Sequence, residues 1–165
     1  MNYNDSHVLW IAYCASNIAG ALLLWAALIR PRLARLVFFF LFGWASWVNY
    51  TTCHQRPEVY LDYAHFSIGL YKNFINSWFK DHITGVVSVI AIGQALIAIG
   101  MVLNGIWVKM ACVGVILFLL AIAPLGMGSA FPFSITVSLA AYFIIRKDDK
   151  KYLWKTDNPF RILTN

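Results

Sequence analysis

The side chains best suited to chemistry gather in one stretch, residues 49–82, which reads NYTTCHQRPEVYLDYAHFSIGLYKNFINSWFKDH. It holds His54, His65 and His82, three of the four histidines, and places Cys53 beside His54. Imidazole and thiolate are natural ligands of copper, zinc and haem iron, so His54, His65 and Cys53 form a candidate metal set. Their spacing matches no metal or haem-attachment motif. Histidines also suit a membrane interface, having an apolar ring and a polar tip.

A second kind of candidate is the polar amide inside an apolar run. Gln94 falls near the middle of such a run and Asn49 at the end of another. An amide in lipid must find a partner across a helix interface, as interhelical glue worth about 1 kcal/mol or as a contact to a bound molecule. With Tyr63 and Trp78 from the polar stretch, Gln94 and Asn49 make up the candidate ligand-binding set.

The elements that must position these residues are apolar. Hydrophobic residues make up 61% of the chain, charged residues 12%, and the mean hydropathy is +0.67. Soluble domains are about half apolar and a quarter charged, so an integral membrane protein is expected, with one membrane domain over residues 1–165. Residues 1–6 carry no basic residue, so the charged start of a cleavable signal peptide is not expected there. Tyr13 before Cys14 speaks against lipid attachment. Cys14, Cys53 and Cys112 have no paired spacing, which supports neither a disulfide framework nor a zinc ribbon.

Five apolar runs are long enough to be read as spans, at about residues 7–29, 36–50, 83–103, 106–124 and 130–145. The first ends in Arg30, Arg32 and Arg35, and the last in Arg146, Lys147, Lys150, Lys151, Lys155 and Arg161. With Lys109 these ten basic residues face three acids, Asp148, Asp149 and Asp157, a balance of +7 on one side. The other side carries Arg56, Lys72 and Lys80 against Asp5, Glu58, Asp62 and Asp81, a balance of −1 that completes the net +6. The positive-inside rule then puts the N-terminus outside and the C-terminus inside. The basic residues serve topology, and no nucleic-acid partner is expected. No ionisable residue falls deep within a span.

The resulting expectation is an all-α polytopic bundle of five transmembrane helices, in a bacterial inner membrane, with residues 51–82 outside. Between Pro57 and Lys80, Tyr60, Tyr63, Ala64, Phe66, Leu70, Phe74 and Trp78 recur at steps of three and four. This stripe predicts an amphipathic lid helix, or two short ones broken near Gly69. The lid either packs its aromatic residues on the spans or covers a cavity open to a lipophilic molecule. Ser129 is a plausible N-cap for the last span, with Pro132 in its first turn.

From Arg35 to about residue 150 the chain resembles the DoxX-like family of small four-helix membrane proteins. The resemblance rests on LVFFFLFGWASWVNY at 36–50, IAIGQALIAIGM at 90–101, and PLGMGSAFPFS at 124–134 followed by an apolar span and a basic tail. The first run is then an addition to a four-helix core. Where that family often carries an acidic residue in its second span, this chain has Gln94. The resemblance implies an accessory subunit of a larger membrane assembly, redox- or quinone-linked, and supplies no catalytic residue. The alternative is a binding protein or enzyme for a lipophilic molecule such as a quinone or lipid, held under the lid. The cofactor is open among quinone, haem and copper.

Overall fold

The computed structural model describes residues 3–154, and all its regular elements are helical. Lys155, Asp157 and Arg161 lie outside the described residues, and the side chain of Asp5 is likewise not described. The long helices are α1 (Tyr3–Ile29), α2 (Pro31–Gln55), α4 (Lys80–Val102), α5 (Ile106–Ile122) and α6 (Phe133–Lys147), with a short α3 (Gly69–Phe74) between α2 and α4. Among the described residues, four stretches are long and apolar enough to cross a membrane: Trp10–Ile29, Pro31–Gln55, Gly69–Val102 and Ile106–Ser129. At 15 residues, α6 is shorter than the roughly 20 residues a bilayer requires.

Helices α2, α4, α5 and α6 surround a core built from Phe38, Met101, Val108, Val115, Val137 and Ile144, all fully buried. Helix α1 packs on α6 and α2. The outward faces are as apolar as the core: Leu22, Phe40, Leu96 and Leu117 are each at least 60% exposed. A helical bundle that is apolar both inside and out is embedded in lipid. Lipid offers little apolar drive for helices to associate, so close approach matters. At Gly100 a Cβ would stand 2.8 Å from that of Ala111, which pins α4 against α5.

The two ends of the bundle differ. At one end meet the α1–α2 junction, the α4–α5 turn and the segment after α6. There Gly105 N–H donates to the Lys150 carbonyl at 2.6 Å, and Lys147 Nζ donates to the Leu28 carbonyl at 3.2 Å. Arg35 is fully buried at this end. Its Nε donates to the Met101 carbonyl, its Nη2 to the Leu103 carbonyl, and its Nη1 to Lys151 O and Asp148 Oδ1, over 2.6–2.8 Å. Beside this pair, Arg32 bridges to Asp149.

Several boundaries depart from expectation. Helix α2 starts at Pro31, five residues before the expected span, because proline at the first helical position lacks only an N–H that needs no partner. It also runs on to Gln55, into the expected lid. Thr51 Oγ1 donates to the Trp47 carbonyl and His54 Nδ1 to the Tyr50 carbonyl, so the polar residues satisfy themselves on the helix. The lid is therefore residues 57–79 and is not one amphipathic helix. It consists of a 3₁₀ run (Pro57–His65), a break, α3, and a π turn (Ile75–Phe79) that leads directly into α4. Ser129 does not cap α6: its hydroxyl donates to the Gly126 carbonyl at 3.0 Å, and α6 begins only at Phe133.

Candidate functional site

Helices α2 and α4 are joined by polar contacts at three successive turns of α2. Ser46 Oγ donates to the Ala91 carbonyl at 2.7 Å, and Asn49 Nδ2 donates to Gln94 Oε1 at 2.9 Å. Farther along, Thr84 Oγ1 donates to the Cys53 carbonyl at 3.0 Å. The middle rung opens on a cavity. It has a volume of about 460 Å³, within the range of small-molecule pockets. Its walls come from α2, the lid, α4, α5 and the Ala123–Ser129 segment, and they are overwhelmingly apolar.

The polar groups on these walls are few and ordered. The Tyr60 hydroxyl, on the 3₁₀ run, donates to Asn49 Oδ1 at 2.9 Å, and Asn49 passes its own amide hydrogen to Gln94. Gln94 is 3% exposed, and no described residue accepts from its Nε2. Tyr71 lines the wall and donates to the Ala121 carbonyl at 2.7 Å. Burial pushes the Tyr60 phenol up to about 12, with the Cys53 thiol adding to the effect. The Tyr63 phenol is also raised, first by burial and then by Asp62. Both tyrosines are therefore neutral hydrogen-bonding groups over the physiological range. Among the described residues, no carboxylate, imidazole, thiol or basic side chain lines the cavity.

The lid is fastened over this space by backbone. Ile68 N–H donates to the Pro124 carbonyl at 3.1 Å, and Gly126 lies under Phe66. A Cβ at Gly126 would meet the Phe66 carbonyl oxygen at 2.7 Å, and its φ of +58° is a conformation L side chains rarely adopt.

Of the residues predicted to contact a ligand, Gln94, Asn49 and Tyr63 share this one cavity, and Trp78 does not. Trp78 is 53% exposed and stacks on His82 with ring centroids 4.3 Å apart. A break near Gly69 is one of the two expected forms and is found at 66–68; the π turn at Ile75–Phe79 departs from the expected α-helical stripe, and Trp78 does not line the wall. The predicted metal set does not assemble either. Cys53 Sγ lies 3.3 Å from His54 Nδ1, but that nitrogen points its hydrogen at the Tyr50 carbonyl 2.7 Å away, leaving no lone pair for a metal there. Among the described residues no three His, Cys, Asp or Glu side chains are grouped to hold a metal, so His65 does not complete the pair.

Two groups stand out only in three dimensions. Tyr60 was one apolar position of a stripe, and the structure makes its hydroxyl the outer end of the polar chain. Arg35 was read as a charge at the membrane edge. Its spacing to Phe38 and Phe42, at i+3 and i+7, places it on the buried stripe of α2, and that was the signal available. Comparison with protein-family models, with curated proteins and with solved structures returns no match.

Proposed function

We propose that this chain is an integral membrane protein that binds a lipophilic small molecule in the cavity between its outer lid and α2, α4 and α5. The observation that carries this reading is a buried amide, Gln94, with an unpartnered Nε2 on the wall of an otherwise apolar space of about 460 Å³. Gln94 Nε2 borders the cavity with no acceptor among the described residues, and a polar occupant would supply one. Among the described residues the titratable groups on the wall are tyrosines, of which Tyr60 and Tyr63 are held neutral by burial, which favours binding over acid–base turnover near neutral pH. In this reading α6 crosses as a fifth span, and the Arg30 to Asp148 end faces the cytoplasm of a bacterial inner membrane. The lid then faces outward.

The test is mass spectrometry of organic extracts from protein purified in mild detergent, alongside an Ala45→Phe variant that fills the cavity from α2. A lipophile enriched over bulk lipid and lost in the variant is expected. Extracts identical to the bulk lipid in both proteins would sink the reading.

A second reading, an accessory subunit of a redox-linked assembly, draws support from a shallow groove on the outer surface of α2 and α4. Gly43, Ala91 and Ala95 form its floor, with Trp47 and Tyr50 beside it. Small residues let another helix approach closely in lipid. Native mass measurement decides: a strictly monomeric species with nothing co-purifying counts against it.

A further inference from the structure

We infer that the occupant of the cavity is a neutral lipophile carrying a carbonyl-type oxygen, and that this oxygen accepts a hydrogen bond from Gln94 Nε2. The inference rests on the binding reading above and adds the head-group chemistry.

The polar complement of the wall can be followed group by group. Tyr71 spends its hydroxyl hydrogen on the Ala121 carbonyl. Tyr60 shares its own between Asn49 Oδ1 and the Asn49 backbone carbonyl, and Asn49 Nδ2 gives one hydrogen to Gln94 Oε1. The two amides stand with Asn49 Oδ1 toward Tyr60 and Gln94 Oε1 toward Asn49. With Oε1 facing Asn49, the NH₂ of Gln94 is turned to the side where no described residue accepts. The Tyr63 hydroxyl, farther along the same wall, also has no partner among the described residues.

Hydrogens are thus what the wall has left over. Carbonyl oxygens with a spare lone pair are common in proteins, whereas buried N–H groups without an acceptor are rare. An occupant that merely fills volume leaves Gln94 unsatisfied, and one that brings an acceptor does not. Charge selects further. Among the described residues no Lys, Arg or His lines the cavity, so a carboxylate or phosphate would be buried without a counter-charge. No described Asp or Glu lines it, so an ammonium fares no better. A ketone, quinone or ester oxygen on an apolar body meets both conditions.

The experiment uses the full chain in nanodiscs and three probes of equal chain length: a methyl ketone, an alkane, and a fatty acid at a pH where it is ionised. Competition against a fluorescent apolar dye reports affinity. The ketone is expected to bind about three- to tenfold tighter than the alkane, the ratio one net hydrogen bond supplies. It should also bind tighter than the carboxylate. The infrared C=O stretch of the bound ketone should shift to the lower frequency of a hydrogen-bonded carbonyl, and Gln94→Leu should abolish both the shift and the preference. The wild-type comparison and the infrared band stand even where that variant folds poorly. Equal binding of ketone and alkane, an unshifted band, or a carboxylate that binds as tightly as the ketone overturns the head-group inference and leaves the cavity reading intact. Failure of all three probes to displace the dye overturns both.

Discussion

Asn49 Nδ2 and Gln94 Oε1 meet at 2.9 Å across the α2–α4 interface, joining residues 45 apart in the chain at the floor of the cavity. This contact belongs at once to the packing of the bundle and to the site. Replacing Asn49 with Ala removes the partner of Gln94, leaves Tyr60 only the backbone carbonyl of residue 49, and should cost about 1 kcal/mol in the unfolding free energy. The double variant Asn49→Ala/Gln94→Leu should cost less than the two single changes summed, because the bond can be lost only once. Additive losses in denaturant titrations in micelles would show that the contact carries no coupling.

The Arg35 clamp is the strongest single attachment among the described residues on structural grounds. Arg35→Met strands the buried Asp148 carboxylate and three backbone carbonyls, and should cost about 3–5 kcal/mol. Asp148→Asn should cost less. An Asn oxygen still accepts from Arg35 and from the Lys150 N–H, as Asp148 Oδ1 does now, while Asp148 Oδ2 has no partner to lose. Equilibrium unfolding of both variants orders the two, and the reverse order would contradict the clamp.

Gly126→Ala combines an unfavourable φ with a 2.7 Å clash against the Phe66 carbonyl. A loss of about 1–3 kcal/mol is expected, concentrated in the lid. Hydrogen exchange over residues 57–79 should quicken in this variant while α5 and α6 keep their protection. Uniform acceleration throughout the bundle would mean that the lid is not a separate unit.

Tyr60 gives a signature in alkali. Its folded value of about 12 lies above the ordinary 10, so the neutral phenol is the form the fold favours. The stability it contributes is complete below pH 10 and is lost as pH rises from there through about 12. Ultraviolet titration should show one tyrosinate appearing late, and Tyr60→Phe should remove that late step. A late step that persists in the variant assigns it to another tyrosine.

The long helices were legible because an apolar run of about 20 residues has few other fates. Gln94 and Asn49 were legible for the complementary reason, since an amide amid such residues must be answered. The lid was not. Its 3₁₀ and π turns are set by contacts to the Ala123–Ser129 segment, such as Ile68 on Pro124, which no local periodicity encodes. Trp78 was misplaced because a step of four is meaningful only while the helix continues. Arg35 was misjudged because a count of charges per side treats every arginine as facing water, whereas this one finds four hydrogen-bond acceptors of its own chain in reach of its stripe.

The Arg35 clamp also bears on the order in which the protein can be completed. Arg35 belongs to the second helix made, but the carbonyls and carboxylate that surround it come from residues 101–151, synthesised last. A chain that ends before residue 148 therefore lacks the carboxylate that answers Arg35, and the guanidinium keeps only the carbonyls of Met101 and Leu103.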